Sequence, residues 1–188
     1  MWIKERLRRL FRLRFAIFYP LFFYILFFTC PSDDGLRRGI GLILAGLLMR
    51  LWSNGYAIKM DKLTTSGPYA FVRNPLYVGT VLLAAGFIVM LNIYLVGALF
   101  LAVGFLAYRR TIGQEETMLA EKFGQDYLDY RKKVPAMWPT LIPYAAGEKW
   151  PFSFARLFQS REHKVVLWIV IVVIAFRLKQ EILFEKEP

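Results

Sequence analysis

Five apolar runs, at residues 15–29, 39–52, 75–91, 93–108 and 165–176, divide this chain, and most of its Lys and Arg residues fall between them. A soluble fold of 188 residues has too little interior to hide that much apolar surface, whereas a bilayer solvates it. Composition agrees. The hydrophobic fraction is 57%, against about 45–50% in soluble domains, and the mean hydropathy is +0.40. The expected architecture is all-α: a polytopic transmembrane helical bundle of about five spans. Several runs fall short of the ~20 residues of a full crossing, so flanking sequence must complete them.

Charge orients the bundle. The net charge is +11. No nucleic-acid reading motif accompanies it, so anionic lipid headgroups are the expected partners and nucleic acid is not. Residues 1–14 form a basic amphipathic helix feeding the first run. A signal peptide would begin similarly, but no small-residue cleavage site follows. With four spans before Arg109, the basic arm, the polar loop at 53–74 and the charged stretch from Arg109 to Lys164 share one side, the cytoplasmic side. The segment at 31–38 (PSDDGLRR) reads as a polar turn on the other. Asn92 alone separates the third and fourth runs, which predicts a tight helical hairpin. Residues 109–131 read as a helix continuing from the fourth run, and Pro135, Pro139 and Pro143 end helical structure. Residues 149–161 are basic and aromatic, as in an interfacial belt. The chain divides into a membrane domain at 1–143 and, at 144–188, an interfacial segment with a further membrane helix.

Three glycine pairs recur at seven-residue spacing: Gly39 and Gly46, Gly79 and Gly86, Gly97 and Gly104. Seven residues return to nearly the same helix face, and small residues there allow close helix approach. Cys30 is the only cysteine and excludes an intrachain disulfide; its reading is structural. His163 is the only histidine, with no second ligand nearby, so no metal site is expected.

Chemistry is expected where polar groups meet the membrane on one side. Residues 61–79 read DKLTTSGPYAFVRNPLYVG. Ser66-Gly67-Pro68-Tyr69 is a turn, and Asn74-Pro75 is an N-cap followed by a first-turn proline. The third span starts there with free N–H groups, suited to an anionic group such as an amino-acid carboxylate. Arg73 adds charge there, or else meets lipid phosphate. Residues 115–139 read EETMLAEKFGQDYLDYRKKVPAMWP. Glu115 and Glu116 lie just past Arg109 and Arg110 near the membrane, where carboxylates need a cation. A sulfonium or ammonium ligand would serve, as would the two arginines or lipid amines.

These two stretches resemble the motif pair of the isoprenylcysteine carboxyl methyltransferase family, which is similar to membrane phospholipid methyltransferases. The resemblance covers about residues 50–143 and rests on Leu63 to Tyr69, on Arg73-Asn74-Pro75-Leu76-Tyr77-Val78-Gly79, and on Glu115-Glu116 followed by Phe123-Gly124, Tyr127, Tyr130 and Val134-Pro135. It implies an S-adenosylmethionine cofactor at cytoplasmic helix ends and a lipid or lipidated substrate. Lys62, Leu63, Thr64 and Tyr69 would line the cofactor. Arg73, Asn74, Pro75, Leu76 and Tyr77 would meet it at the helix terminus, Glu115 would face it, and Asn54 would cap its far side. Asn74 stands where many members carry His, and Thr111 where those acting on prenylcysteine carry Arg. Both departures bear on the substrate. A carboxylate acceptor needs only a guiding cation such as Arg110, whereas a phospholipid amine must first lose a proton to Glu115 or Glu116. The competing reading is a scaffold or transporter that keeps the fold. The near absence of polar residues at span centres disfavours a transporter.

Overall fold

The computed structural model describes residues 28–58, 62–147 and 149–184, the last two by backbone alone. The basic arm at 1–14, nearly all of the run at 15–29, and Lys59 and Asp61 lie outside the described residues. Those described contain helices, turns and loops and no strand: α1 (Asp33–Tyr56), a 3-10 turn (Gly67–Ala70), α2 (Pro75–Leu91), α3 (Tyr94–Phe123), α4 (Gln125–Lys133), α5 (Phe154–Gln159) and α6 (Glu162–Phe184).

The expected polar turn at 31–38 is mostly helix. The Ser32 hydroxyl accepts from the Gly35 N–H at 3.1 Å, and Asp33 and Asp34 fill the first turn. This is a capped start with acids at the positive end of the dipole, so α1 begins before its apolar run. It also continues past the run to Tyr56, taking the first residues assigned to the 53–74 loop. Its 24 residues extend about 36 Å at 1.5 Å per residue.

α2 runs antiparallel to α1, and glycines set their distance. A Cβ on Gly39 would lie 2.6 Å from the Gly86 carbonyl oxygen, and one on Gly46 would lie 2.8 Å from that of Gly79. The two seven-residue pairs therefore interlock, backbone against backbone. Ile43, Leu47, Leu83 and Met90 fill the intervening positions and are buried. Asn92 closes the hairpin in the left-handed conformation (φ 55°), which Asn adopts more readily than most residues.

α3 packs on α2 through Gly97, where a Cβ would meet the Ile88 side chain at 2.4 Å. The partner glycine does not repeat this contact. Gly104 has nothing within 4 Å because α3 has diverged from α2 there. The divergence opens an apolar cavity of about 220 Å³ lined by Thr80, Ala84, Gly104, Phe105, Tyr108 and Met137, among others. α3 is the one described helix long and apolar enough to cross a membrane; α2 is apolar but has 17 residues. Only 11% of the most apolar stretch of α3 is buried, so its apolar side chains face outward, as on a lipid-facing helix, and do not fill a core. Glycine at 124 (φ 54°) breaks the helix expected over 109–131, so α4 leaves α3 at an angle.

α6 lies against α1 and α2, antiparallel to α1 and parallel to α2. Val166, Ile169, Val173 and Phe176 pack into their shared core. Both ends are pinned. Glu162 takes two bonds from Arg50, at 2.6 and 3.1 Å, while Arg50 also donates to Thr80 at 2.7 Å. At the other end Asp33 accepts from Arg177 and Gln180, each at 2.8 Å. The end of α1, the start of α2, the polar half of α3, α4 and the start of α6 thus share one side of the bundle.

Candidate active site

The site grows from the start of α2. Pro75 occupies the first helical position and Asn74 the N-cap position, as expected, but the Asn74 side chain makes no capping bond. Its amide donates instead to the Ala136 carbonyl at 3.1 Å, beside a bond from its own N–H to the same oxygen at 3.2 Å. Arg73 N–H likewise donates to the Pro135 carbonyl at 2.9 Å. The segment after α4 thereby zips onto the residues before α2. In the first turn of α2, the Tyr77 and Val78 N–H groups bond the Asn74 carbonyl, and Pro75 has none to offer. Only the Leu76 N–H stays free among the described residues of that turn, fewer donors than the cap-and-proline sequence predicts.

The two stretches singled out in the sequence do meet, and the two glutamates part company. The Tyr77 hydroxyl donates to Glu115 Oε1 at 3.0 Å, and the Tyr77 ring packs on Tyr108 at 4.8 Å between centroids. Among the described residues no cation lies within ion-pair distance of Glu115. Tyr69 is near enough that burial, with the Glu115 charge adding to it, pushes its phenol well above the ordinary tyrosine range. Glu115 is thus a half-buried carboxylate that accepts a phenol hydrogen bond from Tyr77.

Glu116 points to a different partner. Its carboxylate lies 2.8 Å from Arg73 Nη2 and 3.6 Å from Arg131 Nε, with both side chains of the nearer pair about 10% exposed. Arg73 Nη1 donates to the Arg131 carbonyl at 2.9 Å. The pair is close but poorly aligned: Arg73 Nε, Glu116 Oε1 and the Tyr127 hydroxyl are buried without a hydrogen-bond partner. Burial, with the Glu116 charge adding to it, pushes the Tyr127 phenol up to about 12. Both residues are therefore spent inside the protein, clamping α3 to α4 and to the loop before α2. The free base and the free cation read from the sequence at Glu116 and Arg73 are an ion pair.

The other predicted residues divide similarly. Arg110 is exposed on α3. Asn54 is buried in the last turns of α1, its amide donating to the Arg50 carbonyl at 3.0 Å. Thr64 accepts the Ile58 N–H at 3.1 Å, and Leu63 packs against the Tyr127–Tyr130–Val134 cluster. Lys62 is exposed, its ammonium 4.3 Å from the Trp150 ring centre. Residues that sequence reasoning missed complete the enclosure. Tyr130 donates to the Tyr69 carbonyl at 2.6 Å, and the Trp150 backbone N–H donates to Ser66 Oγ at 2.8 Å. Phe152 sits where a Cβ on Gly55 would be. The Tyr127-x-x-Tyr130 spacing marked an apolar helix face. Nothing local marked Trp150, whose partners lie more than 80 residues away.

The donor set suits S-adenosylmethionine. An amino acid sulfonium would bring a carboxylate to a free helix-start N–H and cationic groups to an unpaired carboxylate, and Leu76 and Glu115 are residues that could meet them.

The fold and site together are those of an α-helical protein with an apolar, lipid-compatible helix and a cluster of polar side chains at its helix ends. Residues 38–126 match the phospholipid methyltransferase family. The chain is 38% identical over 87 residues to the protein-S-isoprenylcysteine O-methyltransferase of Mus musculus, covering 46% of this chain and 29% of that one. It is 42% identical over 109 residues to its namesake in Schizosaccharomyces pombe, covering 56% and 44%. It is also 33% identical over 143 residues to the cobalt-zinc-cadmium resistance protein CzcN of Cupriavidus metallidurans, covering 74% and 64%. The chain is thus similar to phospholipid methyltransferases and isoprenylcysteine O-methyltransferases over its middle portion, and it spans less than half the length of the two methyltransferases. No solved structure matches it. Among the described residues no group of three His, Cys, Asp or Glu could hold a metal.

Proposed function

We propose that this chain is an S-adenosylmethionine-dependent membrane methyltransferase that acts on a lipid-like or lipidated substrate in the manner of isoprenylcysteine carboxyl methyltransferases. The observation carrying this reading is the placement of Glu115. It is a carboxylate without a cation among the described residues, hydrogen-bonded by Tyr77 from the first turn of α2. Through Tyr108, packed on Tyr77, this carboxylate adjoins the apolar cavity between α2 and α3. A cationic cofactor belongs at the first feature and an apolar chain at the second. On this reading the protein crosses the bilayer about five times and the site faces the cytoplasm among the basic segments.

When bound, S-adenosylmethionine would supply an activated methyl group, the C–S electron pair staying on sulfur as the acceptor's lone pair forms the new bond. The protein's task is positioning. Glu115 would attract the ligand's positive charge, Leu76 N–H would meet its carboxylate, and Tyr77 orients Glu115. Arg109, which borders the cavity, and exposed Arg110 can guide a carboxylate acceptor. A second reading, phospholipid amine methylation, is favoured by the same lack of a cation at Glu115, which leaves it free to take the amine proton.

The test is incubation of the purified protein with methyl-labelled S-adenosylmethionine and membrane lipids, followed by extraction. Label recovered as base-released methanol identifies a carboxyl ester. Base-stable label in a headgroup identifies the amine. No lipid-soluble label, with cofactor binding absent in calorimetry, refutes both.

A further inference from the structure

The segment after α4 carries three large apolar side chains that the site does not use. Trp138 is 82% exposed, Leu141 96% and Ile142 79%. Their backbone is fixed, because Thr140 N–H donates to the Phe71 carbonyl and Tyr144 N–H to that of Ala70, each at 2.9 Å. Pro139 and Pro143 stiffen the path further. The side chains are therefore presented by an anchored loop. Their height is also fixed. Met137, at the start of the loop, lines the same cavity as Phe105, Tyr108 and Arg109 of α3. This is the level where the exposed apolar surface of α3, carrying Leu99, Phe105 and Leu106, gives way to Arg109 and Arg110.

We infer that residues 137–143 insert into the headgroup–acyl boundary of the bilayer on the site's side and form the membrane-embedded rim of the cavity between α2 and α3. Three observations favour lipid as the occupant. The loop continues the lipid-facing surface of α3. A Trp with two branched aliphatics beside arginines is the composition of an interfacial anchor. The cavity it borders is itself apolar. A rim held at that depth lets a lipid chain pass sideways into the cavity while its polar end stays level with Glu115. That last consequence rests on the methyltransferase reading; the insertion does not.

The test uses the full chain in nanodiscs of phosphatidylcholine and phosphatidylglycerol. In a Cys30→Ser background, Leu141→Cys or, as a second variant, Ile142→Cys carries an environment-sensitive fluorophore, with Glu121→Cys as the aqueous reference. The expected result is blue-shifted emission, quenched by lipids spin-labelled near the headgroup. Iodide should quench it roughly tenfold less than the reference, because insertion removes the probe from water. Iodide quenching equal to the reference overturns the proposal. So does shielding from both quenchers, the signature of a protein segment or second copy covering the loop. The readout is independent of methyl transfer, so failure of one reading does not disguise failure of the other.

Discussion

Glu116 and Glu115 are neighbours in sequence with opposite expected phenotypes, and exchanging one for an apolar residue separates a clamp from a reacting group. Glu116→Leu strands the Arg73 guanidinium, which is about 10% exposed and has its Glu116 contact at 2.8 Å. Leaving one member of a buried pair uncompensated costs about 3–5 kcal/mol. Poor alignment, and the bond that Arg73 keeps to the Arg131 carbonyl, place the expectation near the lower end, roughly 3 kcal/mol or a hundredfold in the folding equilibrium. The double variant Arg73→Met with Glu116→Leu replaces the pair with apolar side chains of similar size, and such replacements are often neutral. It should recover most of the lost stability in detergent unfolding, together with cofactor affinity and turnover. A double variant that regains stability while methyl transfer stays abolished would show that one of the two residues acts on the ligand, and the clamp reading would fall.

Glu115→Gln should leave the unfolding midpoint within error while lowering cofactor affinity at least tenfold, and Glu121→Gln should do neither. Equal effects in calorimetry would count against Glu115 as the ligand-facing carboxylate. Tyr77→Phe, which deletes the 3.0 Å bond to Glu115, should raise the cofactor KM more than it lowers kcat. The reverse split would make Tyr77 a transition-state group. Gly39→Ala should destabilise α1 against α2 by about 1–3 kcal/mol through overpacking on backbone. Gly41→Ala, with nothing within 4 Å, should be neutral or stabilising by up to about 1 kcal/mol from helix propensity. Matching shifts in thermal unfolding would refute the packing. Asn74→Ala should cost about 0.5–1.5 kcal/mol for the bond to Ala136, and Asn74→His should retain cofactor binding. Loss of binding in the His variant would place the motif in the wrong register.

Features governed by local rules were readable from the sequence. The start of α2 follows from a proline that fits only the first turn, the hairpin from a single Asn between apolar runs, and the α1–α2 interface from glycines seven apart. The meeting of the two motif stretches followed from placing both on one side. Partner choice was not readable. The Asn74 amide prefers Ala136 to its own helix, and Arg73 takes Glu116, because residues 134–144 return across the start of α2. That stretch has no periodicity and announces only its prolines. The start of α1 was missed for a different reason: apolarity was used to bound it, while Ser32, Asp33 and Asp34 carried the helix signal. Gly104 shows the limit of spacing as evidence, since a small residue marks a close approach only where the neighbouring helix stays parallel.

The two polar clamps that hold α6 against α1 also fix a length. Asp33 and Arg50 are 17 residues apart, about 25 Å along a helix, and each is bonded to α6 at the matching level. Between them lies the apolar belt of the three-helix layer. Neither clamp can slide without breaking bonds at both ends, so the belt is a rigid gauge slightly thinner than an average bilayer core. A membrane much thicker than that would draw Arg50, Glu162 and Asp33 toward hydrocarbon, or thin locally around the protein. Short-chain lipids would match the gauge, and activity should peak there and fall as acyl chains lengthen.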